Sequence, residues 1–319
     1  MKSKNNFLVF SGSANPGLAQ SIVSHLGCEL ADCTLTTFSD GEIRFQSHEN
    51  VRGADVFIIQ SLSGDINFHI MELLLMADAL KRASAKRITA VISYYAYARQ
   101  DRKDRPRVPI SARLLAELLE TAGFSRILTI DLHANQIQGF FNVPVDNLMA
   151  LPIFVSYLRE EADLNLKNLV IVSPDAGGVE RARLFARPLH ARLAIGDKRR
   201  SGPNVAEVMH IIGEVDGCDA IVVDDIVDTA GTMTQTIRAI RENGARRVFA
   251  ACTHGIFSGK ALQRLTDSPL EKIFVTDTIA QEANLRANNK IQVLSVAQLF
   301  ADAIASIRDE TSVSKLFLI

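Results

Sequence analysis

What most limits the folds open to this chain is a recurring alternation of short, almost wholly apolar runs with longer segments of helical period. The runs are FLVF at 7–10, DVFIIQ at 55–60, RITAVIS at 87–93, RILTID at 126–131, NLVIVS at 168–173, AIVVDD at 220–225, RRVFAACT at 246–253, KIFVT at 272–276 and IQVLSV at 291–296. Most are continuously apolar rather than alternating, which suits strands covered on both faces, as in a parallel sheet. Between them, His69 to Ser84 sets Ile70, Leu73, Leu74 and Met76 on one side, with Lys81 and Arg82 in the last turn. Ser111 to Ala122 is expected to open on a capping Ser111 after Pro109 and to stop at Gly123; Thr232 to Asn243 stops at Gly244 in the same manner. Strands alternating with helices predict right-handed βαβ units. The pattern runs twice, changing segment between Pro144 and Leu151. The expected fold is therefore α/β, with two similar doubly wound parallel-sheet domains drawn at 1–147 and 148–319, the second ending in a tail from 306.

Composition narrows the function. The chain has 319 residues, 47% hydrophobic and 22% charged, with 9 Pro, which fits an ordered protein of two domains. Its 35 basic and 36 acidic residues leave a formal charge of -1, without the basic excess usual in a general nucleic-acid binder, so no nucleic-acid partner is expected and any phosphate binding should be local. Cys28, Cys33, Cys218 and Cys252 are scattered without a CxxC pair, which argues against a disulfide framework or zinc site. The apolar run Phe7 to Phe10 after Lys2 and Lys4 is too short for a signal core, and no stretch reaches the length of a membrane span. A cytoplasmic protein is expected.

Open parallel sheets bind ligands beyond the carboxyl ends of their strands. The run IVVDDIVDTAGT, 221–232, has that position: a strand leads into Asp224 and Asp225, then Asp228, Thr229, Ala230, Gly231 and Thr232, then a helix. Small residues there admit a phosphate to backbone N–H groups at a helix N-terminus. The adjacent acids would repel that phosphate; they suit sugar hydroxyls or a bridging Mg²⁺. The alternative is an acidic strand end with an ordinary helix cap. The whole run resembles the phosphoribosyl-diphosphate loop of type I phosphoribosyltransferases, which implies a ribose 5-phosphate compound.

Other segments add to this. Lys198, Arg199 and Arg200 precede Gly202 and Pro203, the composition of a mobile flap able to close over a polyphosphate. Asp131 and His133 follow a strand, in a workable Mg²⁺ or substrate-phosphate environment. In SPDAGG, Asp175 is placed to hold a metal or its water, while Gly177 and Gly178 permit close backbone approach. FSDGE and YARQDRK offer Phe38 to stack on a purine and Arg99 and Gln100 as planar donors. The GSANPG run at 12–17 has Walker-like glycine spacing, but Leu18 stands where Lys is needed, and no GxGxxG follows a strand. No GxSxG or HExxH occurs, against common hydrolases and zinc proteases.

Together these motifs resemble ribose-phosphate pyrophosphokinases of the phosphate-activated class, from FSDGE through MELLLMADALKRASAKRITAV, YARQDRK, DLHANQIQGFF, SPDAGG, DKRR and DDIVDTAGT to SVSKLF at 312–317. The resemblance implies transfer of the β,γ-diphosphoryl group of Mg-ATP to ribose 5-phosphate, giving 5-phospho-α-D-ribose 1-diphosphate and AMP for nucleotide, His and Trp biosynthesis. It implies Lys198 and Arg200 as catalytic, and His133 and Asp175 as positioning Mg²⁺. Arg200, Asp224, Asp225, Asp228, Thr229, Ala230, Gly231 and Thr232 would hold ribose 5-phosphate; Phe38, Asp40, Gly41, Glu42, Arg99 and Gln100 would hold ATP. It further implies a homo-oligomer, of hexamer type, in which residues 38–42 reach a neighbour's ATP site, with phosphate as activator and ADP as inhibitor. The family's pattern has Pro and Gly where this chain has Ser93 and Ala96. Two rivals are a phosphoribosyltransferase and a catalytically inactive regulatory homologue. The first leaves the Lys-Arg-Arg flap unexplained; the second is disfavoured because Lys198, Arg200, His133 and Asp225 are all present.

Overall fold

The computed structural model describes residues 7–160, 162–199 and 208–317, without the side chains of Lys198, Arg199, Val208 and Phe317. The chain divides into two units.

The first unit takes residues up to 149 together with 278–280 and 295–318. Strand β1 (Phe7–Ser11) leads through Asn15, whose side chain accepts from the Leu18 N–H, into α1 (Pro16–Leu26). Pro16 costs nothing in the first turn, where its missing N–H would have no helical partner. An antiparallel ribbon follows, β2 (Cys33–Thr37) and β3 (Ile43–Ser47), paired from Cys33↔Ser47 to Thr37↔Ile43. Then come β4 (Asp55–Ser61), α2 (Ile66–Arg82), β5 (Arg87–Tyr94), α3 (Ser111–Ala122), β6 (Arg126–Ile130) and β7 (Val145–Leu148). The five-stranded sheet runs β1-β4-β5-β6-β7, all parallel. Its central strands are buried almost throughout, which is why they read as unbroken apolar runs.

In the second unit the order is α4 (Leu151–Glu160), β8 (Leu169–Ser173), α5 (Val179–Leu189), β9 (Arg192–Arg199), β10 (Val208–Ile212) and β11 (Asp219–Val227). It continues with α6 (Gly231–Glu242), β12 (Arg247–Gly255), α7 (Ala261–Thr266), β13 (Ile273–Thr276), α8 (Glu282–Ala287) and β14 (Ile291–Leu294). Seven strands lie in the order β10-β9-β8-β11-β12-β13-β14, parallel except for β10. After β8 the chain moves outward to β9, then returns to lay β11 on the other side of β8. The crevice beyond the carboxyl ends of β8 and β11 is thus a topological switch point, where open α/β sheets take ligands. The core beneath it includes Val170, Val172, Val222, Ile237, Ala250 and Val275, all fully buried.

Several expectations need correction. The second domain was drawn through to 319, but the final helix α9 (Ala297–Arg308) packs on α1 and so belongs to the first unit. There the Arg308 guanidinium lies 5.0 Å from the centre of the Phe7 ring, and Arg87 reaches both Asp55 and Glu310. Ser111 is not a cap: Ile110 holds that position without a side-chain bond, and the Ser111 hydroxyl donates to Gln100 Oε1. Helix α2 starts before His69, because Asp65 caps it by accepting from the Phe68 N–H at 3.3 Å. Among the described residues no helix is long and apolar enough to cross a membrane.

Ser93 also finds a use here. It is 1% exposed, and its hydroxyl donates at 2.7 Å to the Thr278 carbonyl, an acceptor shared with Ser61. A proline there would lose that bond, so the departure at Ser93 carries its own compensation.

Candidate functional site

In the first unit, two loops meet over a recess of about 360 Å³ lined by Arg99, Gln100, Asp101, Arg102, Asp104, Arg105, Val108, Pro109 and His133. One loop follows β5 and the other follows β6. The side-chain amide of Gln136 donates to Asp101 at 2.8 Å and ties the two together. The second loop is anchored to β7 by Asp131 N–H on the Leu148 carbonyl at 3.0 Å and by Leu132 N–H on Asn147 at 3.1 Å. Both loops contain a non-glycine residue in the left-handed region, Tyr97 at φ 59° and Asp131 at φ 43°. Such conformations cost energy and persist only where surroundings enforce them. Three arginines with an apolar edge at Val108 and Pro109 suit a polyphosphate attached to a flat ring. Arg99, Gln100 and His133, selected separately in the sequence, are therefore neighbours.

Phe38, Asp40, Gly41 and Glu42 do not line that recess. They form the tip of the β2–β3 ribbon, where the Phe38 N–H donates to the Glu42 carbonyl at 2.7 Å and the Glu42 N–H to Asp40 Oδ1 at 3.1 Å. Gly41 has φ 93°, a turn conformation open chiefly to glycine. Phe38 is 51% exposed, much for a large apolar ring.

The second unit brings its motifs to the switch point. After β8, Asp175 Oδ1 accepts from the Gly178 N–H at 3.0 Å, while the Ser173 hydroxyl donates to the Asp175 carbonyl at 2.6 Å. A Cβ on Gly178 would stand 2.7 Å from the Ser173 hydroxyl, so a larger residue would have to push aside the group that holds the Asp175 carbonyl. Beside it, β11 runs two residues beyond its expected end, to Val227. The turn through Asp228 and Thr229 leads into α6 at Gly231, with Ala230 at φ 58°. Ala230 at the N-cap gives α6 no side-chain bond, so its first N–H groups face the loop with the positive end of the helix dipole. Thr229 and Thr232 are exposed.

The two acids are not an isolated strand end. Arg181, from α5, places Nη1 3.2 Å from Asp224 Oδ1 and Nη2 3.1 Å from Asp225 Oδ1. The Asp225 N–H also donates to Asp224 Oδ1 at 2.9 Å. Burial and the adjacent Asp225 carboxylate raise Asp224 above the ordinary carboxylate range, against the pull of Arg181. Sequence reasoning missed Arg181. The one available signal is its place in the first turn of a helix, where the dipole favours an acid.

Lys198 and Arg199 end β9, opposite Met209 and Val208 of antiparallel β10. Their backbone is a strand. Arg200 lies outside the described residues.

No group of three His, Cys, Asp or Glu side chains able to hold a metal ion occurs among the described residues. Asp175, at the carboxyl end of β8, offers a hard carboxylate oxygen of the kind Mg²⁺ takes, a cation usually held by one or two carboxylates plus substrate phosphates.

Parallel sheets with ligand loops at their carboxyl ends, one at a switch point with paired acids and an uncapped helix, define an α/β protein of the phosphate-handling class. Residues 7–123 match the N-terminal domain of ribose phosphate pyrophosphokinase, and 198–318 match the phosphoribosyl synthetase-associated domain. A ribose-phosphate pyrophosphokinase of Bacillus subtilis is 51% identical over 98% of this chain and 97% of its own. One from Aquifex aeolicus is 49% identical, over 98% and 99%. The crystal structure of phosphoribosylpyrophosphate synthetase from Mycobacterium smegmatis superposes with a TM-score of 0.90 at 41% identity, covering 96% of this chain and 100% of that one. The chain belongs to the ribose-phosphate pyrophosphokinase family, a family of enzymes.

Proposed function

We propose that the chain transfers the β,γ-diphosphoryl group of Mg-ATP to the anomeric hydroxyl of ribose 5-phosphate, releasing AMP. The observation that carries this reading is the loop from Asp224 to Thr232 at the switch point, which offers acids for sugar hydroxyls and an uncapped helix N-terminus for a phosphate. Asp224 and Asp225 accept from the ribose hydroxyls; Asp228 to Thr232 surround the 5-phosphate. Arg99 and Gln100, beside the recess of the first unit, bind ATP, with Phe38, Asp40, Gly41 and Glu42 from the ribbon tip.

Diphosphoryl transfer leaves the protein little covalent work, so positioning and charge neutralisation dominate the rate. Lys198 and Arg200 supply cations where charge builds on the transferred group. Magnesium, when bound with ATP, would neutralise and orient the phosphates; His133 in the first unit and Asp175 in the second are each candidates to hold such an ion. The anomeric oxygen attacks the β-phosphorus, and AMP leaves. We assign no general base. A homo-oligomer of hexamer type, activation by phosphate, inhibition by ADP and a cytoplasmic location belong to the same proposal.

Incubating the protein with Mg-ATP and ribose 5-phosphate and separating the nucleotides tests it. AMP supports the assignment. ADP as sole product, or no turnover, overturns it. Diphosphate release from phosphoribosyl diphosphate and a free base, without ATP, would favour a phosphoribosyltransferase instead.

A further inference from the structure

Arg181 belongs to none of the loops that carry the sugar-phosphate reading, yet it touches both acids of the one after β11. Its helix, α5, packs against β8 and β11, so the side chain approaches the switch point from beside the sheet. One guanidinium nitrogen takes an oxygen of Asp224 and another an oxygen of Asp225, so the fork spans two residues instead of chelating one. Arg181 is the third residue of α5, where the helix dipole favours an anion; Glu180 obeys that preference and Arg181 does not. The side chain therefore owes its place to the two carboxylates. Asp225 is 3% exposed at its side chain and Asp224 30%, so the pair is screened by water from the Asp224 side only.

We propose that Arg181 is a positioning residue for ribose 5-phosphate: its fork fixes the Asp224 and Asp225 carboxylates as a paired acceptor for the sugar hydroxyls. The inference rests on residues 224–232 being the ribose 5-phosphate loop. Without the cation, two neighbouring acids in a confined space rotate apart, and the sugar loses an acceptor. A guanidinium suits this task better than an ammonium, because its two nitrogens have a fixed separation.

Steady-state kinetics of the full chain with Mg-ATP and ribose 5-phosphate test the role, using Arg181→Met, Arg181→Lys and the control Arg183→Met, an exposed site on the same helix. The expected result for R181M is a rise in KM for ribose 5-phosphate of about 10- to 100-fold, the size of a lost hydrogen bond to a charged group. KM for ATP stays within about twofold and kcat falls less than KM rises. R181K recovers part of the loss, since the charge returns without the fork, and R183M matches the parent. An unchanged KM for ribose 5-phosphate in R181M overturns the proposal, as does an equal rise in both KM values. A fall in that KM also overturns it, since Arg181 would then compete with the sugar. Should R181M fail to fold, R181K decides: a selective rise in ribose 5-phosphate KM supports the role, and parent-like kinetics refute it. A parent chain that makes no AMP sinks the underlying reading of the loop; a parent that makes AMP beside a silent R181M sinks this proposal alone.

Discussion

Ser258, in the turn after β12, holds Asp228 twice: its hydroxyl donates to the Asp228 carboxylate, and its backbone N–H donates to the Asp228 carbonyl at 3.0 Å. Next to it, Arg264 Nη1 donates to the Thr229 carbonyl at 2.7 Å. The loop between β11 and α6 is thus pinned from behind by a segment some thirty residues further along the chain. Ser258→Ala removes one charge-assisted bond and leaves the backbone bond, so KM for ribose 5-phosphate should rise about 3- to 10-fold while KM for ATP is unchanged. Steady-state kinetics with each substrate varied in turn decides it; a shift confined to ATP would contradict the assignment.

Gly196, in β9, lies against the loop after β8. A Cβ there would lie 2.8 Å from the Pro174 carbonyl oxygen and 3.1 Å from Met209 Sδ. A backbone oxygen cannot swing aside as a side chain can. Gly196→Ala should therefore cost about 1–3 kcal/mol, seen as a drop of several degrees in Tm, and should lower kcat by displacing the strand that carries Lys198. An unchanged melting curve would mean that β9 shifts freely.

Lys198→Ala should lower kcat on the order of 10²–10⁴-fold, as for other cations that act on developing phosphoryl charge, with both KM values within a few-fold. Turnover within a few-fold of the parent would remove Lys198 from the mechanism.

At the opposite end of the second sheet, Asp219 has a fully buried side chain that accepts from Arg246, Arg247 and the Asn165 N–H. Burial pushes its carboxyl up, but these donors outweigh it and hold it well below the usual carboxylate range. A depressed folded value means the stabilisation is complete above the unfolded value, about 3.9, and drains away as pH falls through the folded one. The parent should lose stability below about pH 4, and Asp219→Asn should have a lower Tm at pH 7 with a flatter acid limb. Calorimetry from pH 3 to 8 reads both; a constant gap between the two proteins at every pH would refute the assignment.

Thr129, in β6, is 1% exposed, and its hydroxyl has no hydrogen-bond partner among the described residues. Thr129→Val replaces that hydroxyl with a methyl of similar shape and should raise stability by about 1 kcal/mol. Denaturant titration that finds the variant weaker would show a partner for the hydroxyl.

The buried strands were legible because water-free faces on both sides demand unbroken apolar sequence: 55–60 and 87–93 each fall one residue short of the strand they predict. The β2–β3 ribbon was not, since CTLTT and IRFQS are half exposed and threonine-rich, without an apolar run to betray them. Strands β9 and β10 escaped because the first ends in charge and the second is a short edge. At the site, local motifs gave Arg99, Gln100, Asp175 and the 224–232 loop, whose residues are adjacent in the chain. Arg181 and Ser258 act across 43 and 30 residues, and only the packing of α5 and the turn after β12 brings them to their acids. Helix α9 joined the first unit for the same reason, through a contact with α1 that no local pattern encodes.

The proposed activity turns on whether the acid-lined loop after β11 binds the pentose phosphate that receives the diphosphoryl group. Phosphorus NMR of a reaction containing protein, Mg-ATP and ribose 5-phosphate tests it most directly, because every product phosphorus is resolved. The account predicts AMP and a sugar 1-diphosphate in equal amounts, with both lost in Asp224→Asn. Formation of ADP with a singly phosphorylated new ester, or an unchanged ATP spectrum, would contradict it.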